Sequence, residues 1–367
     1  MKIKHIELKQ FRNYDTLQLP LSNDLLFFLG NNAQGKTNLL EAIYYASTTR
    51  SFRSSSDIEM IQFDKNFAKI DIDLQRESDL SLLSLIINKE GKYITKDLNP
   101  VKKISSMVGY LNAVMFCPSD MKVLFSSPKD RRKFIDIELG KISTKYMNDL
   151  VVFQKLLKER NAYLKETKFD EVYWSTLNER FIEVEIDIIL ARYTFMELLE
   201  KFASYIYQYL SNEKEPLHLI YKSCIEVTNK EDMKRELLSK YEKVFAKERE
   251  YMMTLHGCHR EDFEIFLGDM DVSLYGSQGQ KRSAILSLKI GLLEVIRKKI
   301  GEYPILLLDD VLSELDEKRR IALFQIIPRE VQTFITSTEL SSREREYLPH
   351  CCIYTVEKGS IIKEESL

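Results

Sequence analysis

Residues 25–47 read LLFFLGNNAQGKTNLLEAIYYAS: an apolar run, a glycine-bounded loop and a helical repeat in direct succession. Leu25 to Leu29 has the continuous apolar character of a parallel strand buried on both faces. Gly30-Asn31-Asn32-Ala33-Gln34-Gly35-Lys36-Thr37 fits G-x-x-x-x-G-K-[ST], and Leu39, Leu40, Ala42, Ile43 and Ala46 follow at helical spacing. A chance glycine turn could match the string. Strand, loop and helix in this order give it a mechanism. Glycines let the backbone wrap phosphates, Lys36 neutralises β- and γ-phosphate charge, and the Thr37 hydroxyl binds Mg²⁺. The stretch from Gly30 through Asn38 is therefore the expected ATP-binding loop of an α/β chain.

A second buried-strand run, Ile305 to Leu308, ends in Asp309 and Asp310. Beside a phosphate loop, the first carboxylate is expected to hold Mg²⁺ and the second to polarise the attacking water. Without that loop the pair would read as a helix cap. Ser313-Glu314-Leu315-Asp316 follows, and then VQTFITSTE, one more apolar strand, ending in Thr336, Ser337 and Thr338. Those hydroxyls either sense the γ-phosphate or simply end the strand.

The stretch YGSQGQKRS, 275–283, precedes another apolar-periodic run from Ala284 to Leu293. Free amides and a helix dipole at such a start favour an anion. Taken alone, Ser277, Gln278, Gly279 and Gln280 read more simply as turn residues and an N-cap.

The order phosphate loop, GSQGQ, carboxylate strand, SELD resembles that of ATP-binding-cassette ATPases. The resemblance implies a mixed sheet flanked by helices. It also implies that Ser277, Gln278, Gly279 and Gln280 cap the γ-phosphate of a partner subunit, with Ser313 and Asp316 in the adjoining D-loop. Longer stretches make the likeness closer: FRNYDTLQL, TTRSFRS, the segment from AVMFCPSD to RRKFIDIELGKIS, TLHGCHRED, GSQGQKRSAILSLKI, LLLDDVLSELD and FITSTE. In these the chain resembles the RecF family of bacterial recombinational repair proteins. That resemblance implies a cytoplasmic, SMC-like ATPase that dimerises with ATP and binds single- or double-stranded, gapped DNA. It would work with RecR and RecO and direct RecA loading at single-strand gaps. Lys36, Asp309 and Asp310 would be catalytic, with ATP and Mg²⁺ as cofactors and Thr37 and Asp309 as the metal ligands. Arg12 would lie near the nucleotide. Asp310 is one methylene shorter than the glutamate of transport-type cassettes, which implies slow, DNA-stimulated hydrolysis. Cys117, Cys258 and Lys281 depart from common family residues, none of them in the phosphate chemistry.

With 367 residues the chain exceeds one small core. Between Met115 and His256 the periodicity turns helical. Trp174, Leu177, Phe181, Val184, Ile188, Ala191, Phe195, Leu198, Phe202, Tyr205 and Tyr209 form a stripe on one long helix. The stripe is expected to be core. The expected division is an ATPase head in two parts, 1–117 and 255–367, around a helical lobe, 118–254.

The net charge of −2 excludes a general attraction to nucleic acid, so DNA contact needs a local basic face. Residues 119–168 hold 12 Lys and Arg against 7 Asp and Glu, a net of +5. Arg131, Arg132 and Lys133, or Arg50 and Arg53, are the candidates; a solvated helix face is the alternative. No run suits a membrane span, and five cysteines without framework spacing point to free thiols. His256, Cys258 and His259 lack a second ligand pair for zinc.

Competing functions make different demands. A transporter nucleotide-binding subunit needs a short gap before the signature and a late histidine. Here 247 residues separate Gly30 from Ser277, and 336–339 holds no histidine. A nuclease-coupled SMC-like ATPase needs a metal cluster or a partner nuclease. A small-molecule kinase leaves GSQGQ and SELD unexplained.

Overall fold

The structure, a computed structural model, describes residues 1–367 except 78, 104–106, 213, 214, 349 and 367. The chain divides into two compact units. The first comprises Met1–Met121, Phe202–Lys214 and Gln278–Leu367, and the second Lys122–Lys201 and Glu215–Ser277. The insertion thus starts four residues later than expected and runs on through Ser277. Residues 255–277 fall in the second unit, because Asp262–Leu267 pairs antiparallel with Leu217–Lys222. Conversely, Phe202–Lys214 is assigned to the first unit.

Two six-stranded sheets build the first unit. In one, the order is Ser360–Ser366, Cys351–Glu357, Leu25–Leu29, Thr333–Ser337, Ile305–Asp309, Ala113–Phe116. All neighbours in it are parallel except the first pair. Every residue of Ile305–Asp309 is buried, which explains its unbroken apolar run. Phe28 stacks on Phe334 and on Tyr354, at ring separations of 6.0 and 5.1 Å, tying three adjacent strands together. The other sheet is antiparallel, in the order Tyr14–Pro20, Lys2–Phe11, Phe67–Arg76, Asp79–Asn88, Gly91–Lys96, Asn99–Pro100. Its alternating apolar residues, among them Ile6, Leu8, Ile70, Ile72, Leu83 and Leu85, share one core with the phosphate-loop helix Lys36–Thr48. The helix Gln278–Ile300 is buried on most of its circumference from Ser283 to Ile296.

The second unit is mainly helical, with Pro128–Ile142, Thr144–Tyr163, Lys230–Tyr251 and much of the long helix Glu171–Ser211. That helix has 41 residues, so the expected single long element is present. Leu177, Phe181, Ile188 and Phe195 of the stripe are buried. Tyr205 and Tyr209 are exposed, while Ala203, Ile206, Tyr207 and Leu210 are buried instead. The buried face continues in line through Leu199, Ala203, Ile206 and Leu210, and the stripe, spaced at 3.5 residues, drifts off it on a 3.6-residue helix. A three-stranded sheet, Met270–Asp271, Asp262–Leu267, Leu217–Lys222, adds to the helices.

Arg160 and Glu248 form a fully buried pair at 2.7 Å in this unit. Arg160 also donates to Asn178 and Thr254, and its guanidinium lies over the rings of Trp174 and Tyr241. Removing one partner strands the other charge in an apolar interior. Glu248→Ala is expected to lower stability by about 3–5 kcal/mol in denaturant unfolding of the full chain. A double change to methionine should lose less, and an equal loss would mean the pair is not the cause.

Candidate nucleotide site

The phosphate loop turns where its sequence allows positive φ. Gly30 and Gly35 have φ of +155° and +117°, and Ala33 has 65°. A Cβ on Gly30 would sit 2.4 Å from the Val356 carbonyl oxygen. The loop is braced from both sides. Asn13 Nδ2 donates to the Gln34 carbonyl at 3.0 Å, and Tyr14 OH donates to the Gly35 carbonyl at 3.0 Å. From the last hairpin, Gly359 N donates to the same Gln34 carbonyl and Lys358 N to Gln34 Oε1.

Lys36, the first residue of its helix, is buried and donates through Nζ to the carbonyls of Gly30 and Asn31. Burial pushes its ammonium below the usual lysine value, while Asp310 and Asp309 pull the other way. Thr37 Oγ1 donates to Asp309 Oδ1 at 2.8 Å, and Thr336 Oγ1 donates to the same oxygen at 2.7 Å. Thr336 Oγ1 also accepts from Asp310 N at 2.9 Å. It can do so because Thr333–Ser337 lies between the phosphate-loop strand and the carboxylate strand. Asp310 turns at φ 51°. Burial raises the Asp309 carboxyl above its usual range, opposed by the hydrogen bonds from Thr336 and Thr37.

These groups line a cavity of about 520 Å³ together with Asn13, Asn32, Ala33, Gln34, Gly35, Asn38, Arg53 and Pro118. Hydroxyl and carboxylate oxygens are the donors Mg²⁺ prefers, so Thr37 and Asp309 fit that ion. The same wall carries a buried lysine and a helix N-terminus suited to phosphate.

Sequence reasoning missed Asn13 and the acid that anchors this wall. Glu41 is fully buried and takes both arms of Arg12 at 2.9 Å, with Ser51 Oγ as a further donor. Arg12 thus braces the phosphate-loop helix and is not among the cavity residues. Arg53, expected as a DNA contact, lines the cavity, donates to Asn38 Oδ1 at 2.9 Å and lies 3.7 Å from Glu41. An acid inside the phosphate-loop helix, with arginines in the flanking FRNY and TTRSFRS segments, was the available signal.

Other expected residues lie elsewhere. Gln278, Gly279 and Gln280 open the helix Gln278–Ile300 and are not among the cavity residues. Ser277, just before it, is exposed. Ser313 Oγ donates to the Asp310 carbonyl at 2.8 Å, and Asp316 caps the helix Glu317–Ile326 by accepting from Arg319 N. Arg50 and Lys133 are exposed. Arg131 forks onto Asp262 at 2.6 Å and Arg132 donates to the Glu261 carbonyl. Lys141 pairs with Glu138, and Lys145 with Asp149 and Asp187. Of the basic residues in 119–168, Arg131, Arg132, Lys141, Lys145 and Arg160 are thus engaged inside the unit, while Lys122, Lys129, Lys133, Lys155, Lys158, Lys165 and Lys168 are exposed. Among the described residues no group of three or more His, Cys, Asp or Glu is placed to hold a metal, and no helix is long and apolar enough to cross a membrane.

Residues 2–346 match the family model of the RecF/RecN/SMC N-terminal domain. The chain is 40% identical over 369 residues to the DNA replication and repair protein RecF of Geobacillus sp. (strain WCH70), covering 98% of each. It is 38% identical over 371 residues to that of Bacillus subtilis (strain 168), covering 99% of this chain and 100% of the relative. The solved structure of the recombination mediator protein RecF-ATP in the RecFOR pathway superposes with a TM-score of 0.88 at 32% identity, covering 100% of this chain and 97% of that one. An Smc head domain with an extended coiled coil from Pyrococcus furiosus, bound to the C-terminal domain of ScpA, covers 100% of this chain and 96% of its own. It has a TM-score of 0.58 at 18% identity and shares the fold alone. Matched end to end by such relatives, the chain belongs to the RecF family, SMC-like ATPase heads of DNA repair and recombination.

Proposed function

We propose that this chain is a cytoplasmic recombination mediator whose grip on DNA is switched by ATP. The observation that carries the reading is the double hydrogen bond from Thr37 and Thr336 to one oxygen of Asp309, within a cavity that also holds Lys36 and Asp310. That arrangement suits a nucleoside triphosphate with Mg²⁺ and a water aligned for attack. When bound, Mg²⁺ would supply neutralisation of phosphate charge. Lys36 binds the β- and γ-phosphate oxygens, Thr37 and Asp309 hold the ion, and Asp310 orients the water. Thr336 fixes the Asp309 carboxylate through its hydroxyl. Hydrolysis is slow because Asp310 is short, and DNA stimulates it.

Two heads close face to face, each presenting Ser277, Gln278, Gly279 and Gln280 to the other's γ-phosphate. ADP releases them because it lacks that group. Arg50 and Lys133 are the DNA-facing candidates whose charges stand exposed. Arg53, on the cavity wall, would connect DNA contact with nucleotide. RecR and RecO act as partners, and the outcome is RecA loading at single-strand gaps.

Sedimentation velocity of the pure protein with no nucleotide, ADP or ATP tests this. A dimer with ATP alone is expected, and the same dimer should hold gapped DNA more tightly than the monomer does. A monomer under all three conditions, with nucleotide bound, would overturn the face-to-face mechanism.

A further inference from the structure

The turn leading into Ser277 presents two large apolar side chains to solvent. Leu274 is 68% exposed and Tyr275 is 74% exposed. Their display is held in place. Val272 is fully buried beneath them. Asp271 Oδ1 accepts from Ser273 N at 2.7 Å and Leu274 N at 3.3 Å. Gly276 N closes the turn on the Val272 carbonyl at 3.1 Å, and a Cβ on Gly276 would sit 2.7 Å from that oxygen. The anchored turn thus holds an apolar pair, Leu274 and Tyr275, in a fixed place at the surface.

The nucleotide cavity has the opposite character. Its lining is amide, hydroxyl and charge, with Ala33 and Pro118 as the apolar members and no aromatic ring. It suits phosphate and, among its described lining residues, offers a nucleobase no aromatic ring to stack on.

We propose that Tyr275 packs its ring on the nucleobase of the ATP held by a second copy of this chain, so that the partner completes a site one chain leaves open. This rests on the face-to-face reading above. Tyr275 lies two residues before Ser277, within about 7 Å of chain, and the side chain adds its own length. A serine at the γ-phosphate therefore leaves the ring within range of ribose and base. Leu274 extends the same apolar surface and closes the rim against water.

The test compares Tyr275→Ala, Tyr275→Leu and Tyr275→Trp with the unmodified chain. ATP and ribose 5′-triphosphate, which lacks the base, serve as probes. Fluorescent-nucleotide titration at dilutions where the protein is monomeric should give unchanged affinities, because the ring acts on the partner's nucleotide. Dimerisation with ATP, followed by sedimentation, should weaken roughly 10- to 100-fold per site in the alanine and leucine variants, the size of one base–aromatic stack. The tryptophan variant should keep it. With ribose triphosphate, alanine and tyrosine should dimerise alike, since the cycle then contains no base for the ring to meet. Equal weakening with both probes would place the ring on protein and overturn the proposal. So would full dimerisation of the alanine variant with ATP. If the unmodified chain stays monomeric with ATP, the face-to-face reading fails first, and this inference with it.

Discussion

Lys36→Ala is expected to remove measurable ATP hydrolysis and to weaken nucleotide binding a few hundred-fold, about 3–4 kcal/mol. The size follows from the setting. Lys36 is buried and its Nζ is held by the carbonyls of Gly30 and Asn31. A phosphate chain would replace those neutral partners with charged ones in a partly desolvated cavity, where such bonds are strongest. Alanine removes the lysine cation that would offset the phosphate charge beside Asp309 and Asp310. Folding should survive, because burial already disfavours the ammonium. Titration with a fluorescent nucleotide, together with a phosphate-release assay and a melting curve, checks all three statements. Unchanged affinity in a folded variant would remove Lys36 from phosphate binding.

The parts of this site that were legible in the sequence are those encoded by consecutive residues. The strand, loop and helix around Gly30–Thr37 announce themselves because each element's periodicity is local. Ile305–Asp309 is legible for the same reason, as a run buried on both faces. What escaped depends on strand order and distant pairing. Thr336 left two readings open because nothing local says that its strand lies between the other two; in that place its hydroxyl orients Asp309. Glu41 looked like one more polar position in an amphipathic helix, yet it is fully buried by an arginine 29 residues upstream. Charge counting cannot see pairing in the inserted segment. It treats Arg131 as free, while Asp262, 131 residues later, takes both arms of its guanidinium. The small sheet of the second unit was hidden similarly, since Leu217–Lys222 and Asp262–Leu267 pair across a 22-residue helix. The heptad stripe was spaced at 3.5 residues, which drifts about 20° per heptad on a straight helix, so by Tyr205 and Tyr209 it has left the buried face.

Ser277→Arg is expected to abolish ATP-driven dimerisation, by at least about 100-fold in protein concentration, while leaving monomer nucleotide affinity within about twofold. Two facts separate these effects. Ser277 is exposed at the start of a helix, so a longer side chain there costs the fold little. The next residues of the same loop are absent from the nucleotide cavity of their own chain. The face-to-face mechanism instead requires this loop to approach a partner's γ-phosphate to hydrogen-bond distance, about 2.7–3.2 Å. An arginine at position 277 adds five heavy atoms beyond what serine places there, and it cannot leave by way of Gly276, which is packed on Val272. Its positive charge would favour a phosphate in solution. In a closed interface, holding the loop even 1–2 Å away breaks several of those bonds together, so the steric effect decides the sign. Hydrolysis should fall with the dimer, since the water-polarising geometry depends on the closed pair. Sedimentation velocity with ATP, beside a nucleotide titration of the monomer, separates the two quantities. Loss of both would mean that the loop supports its own chain's cavity. Retention of both would mean that the second glycine loop faces no nucleotide at all.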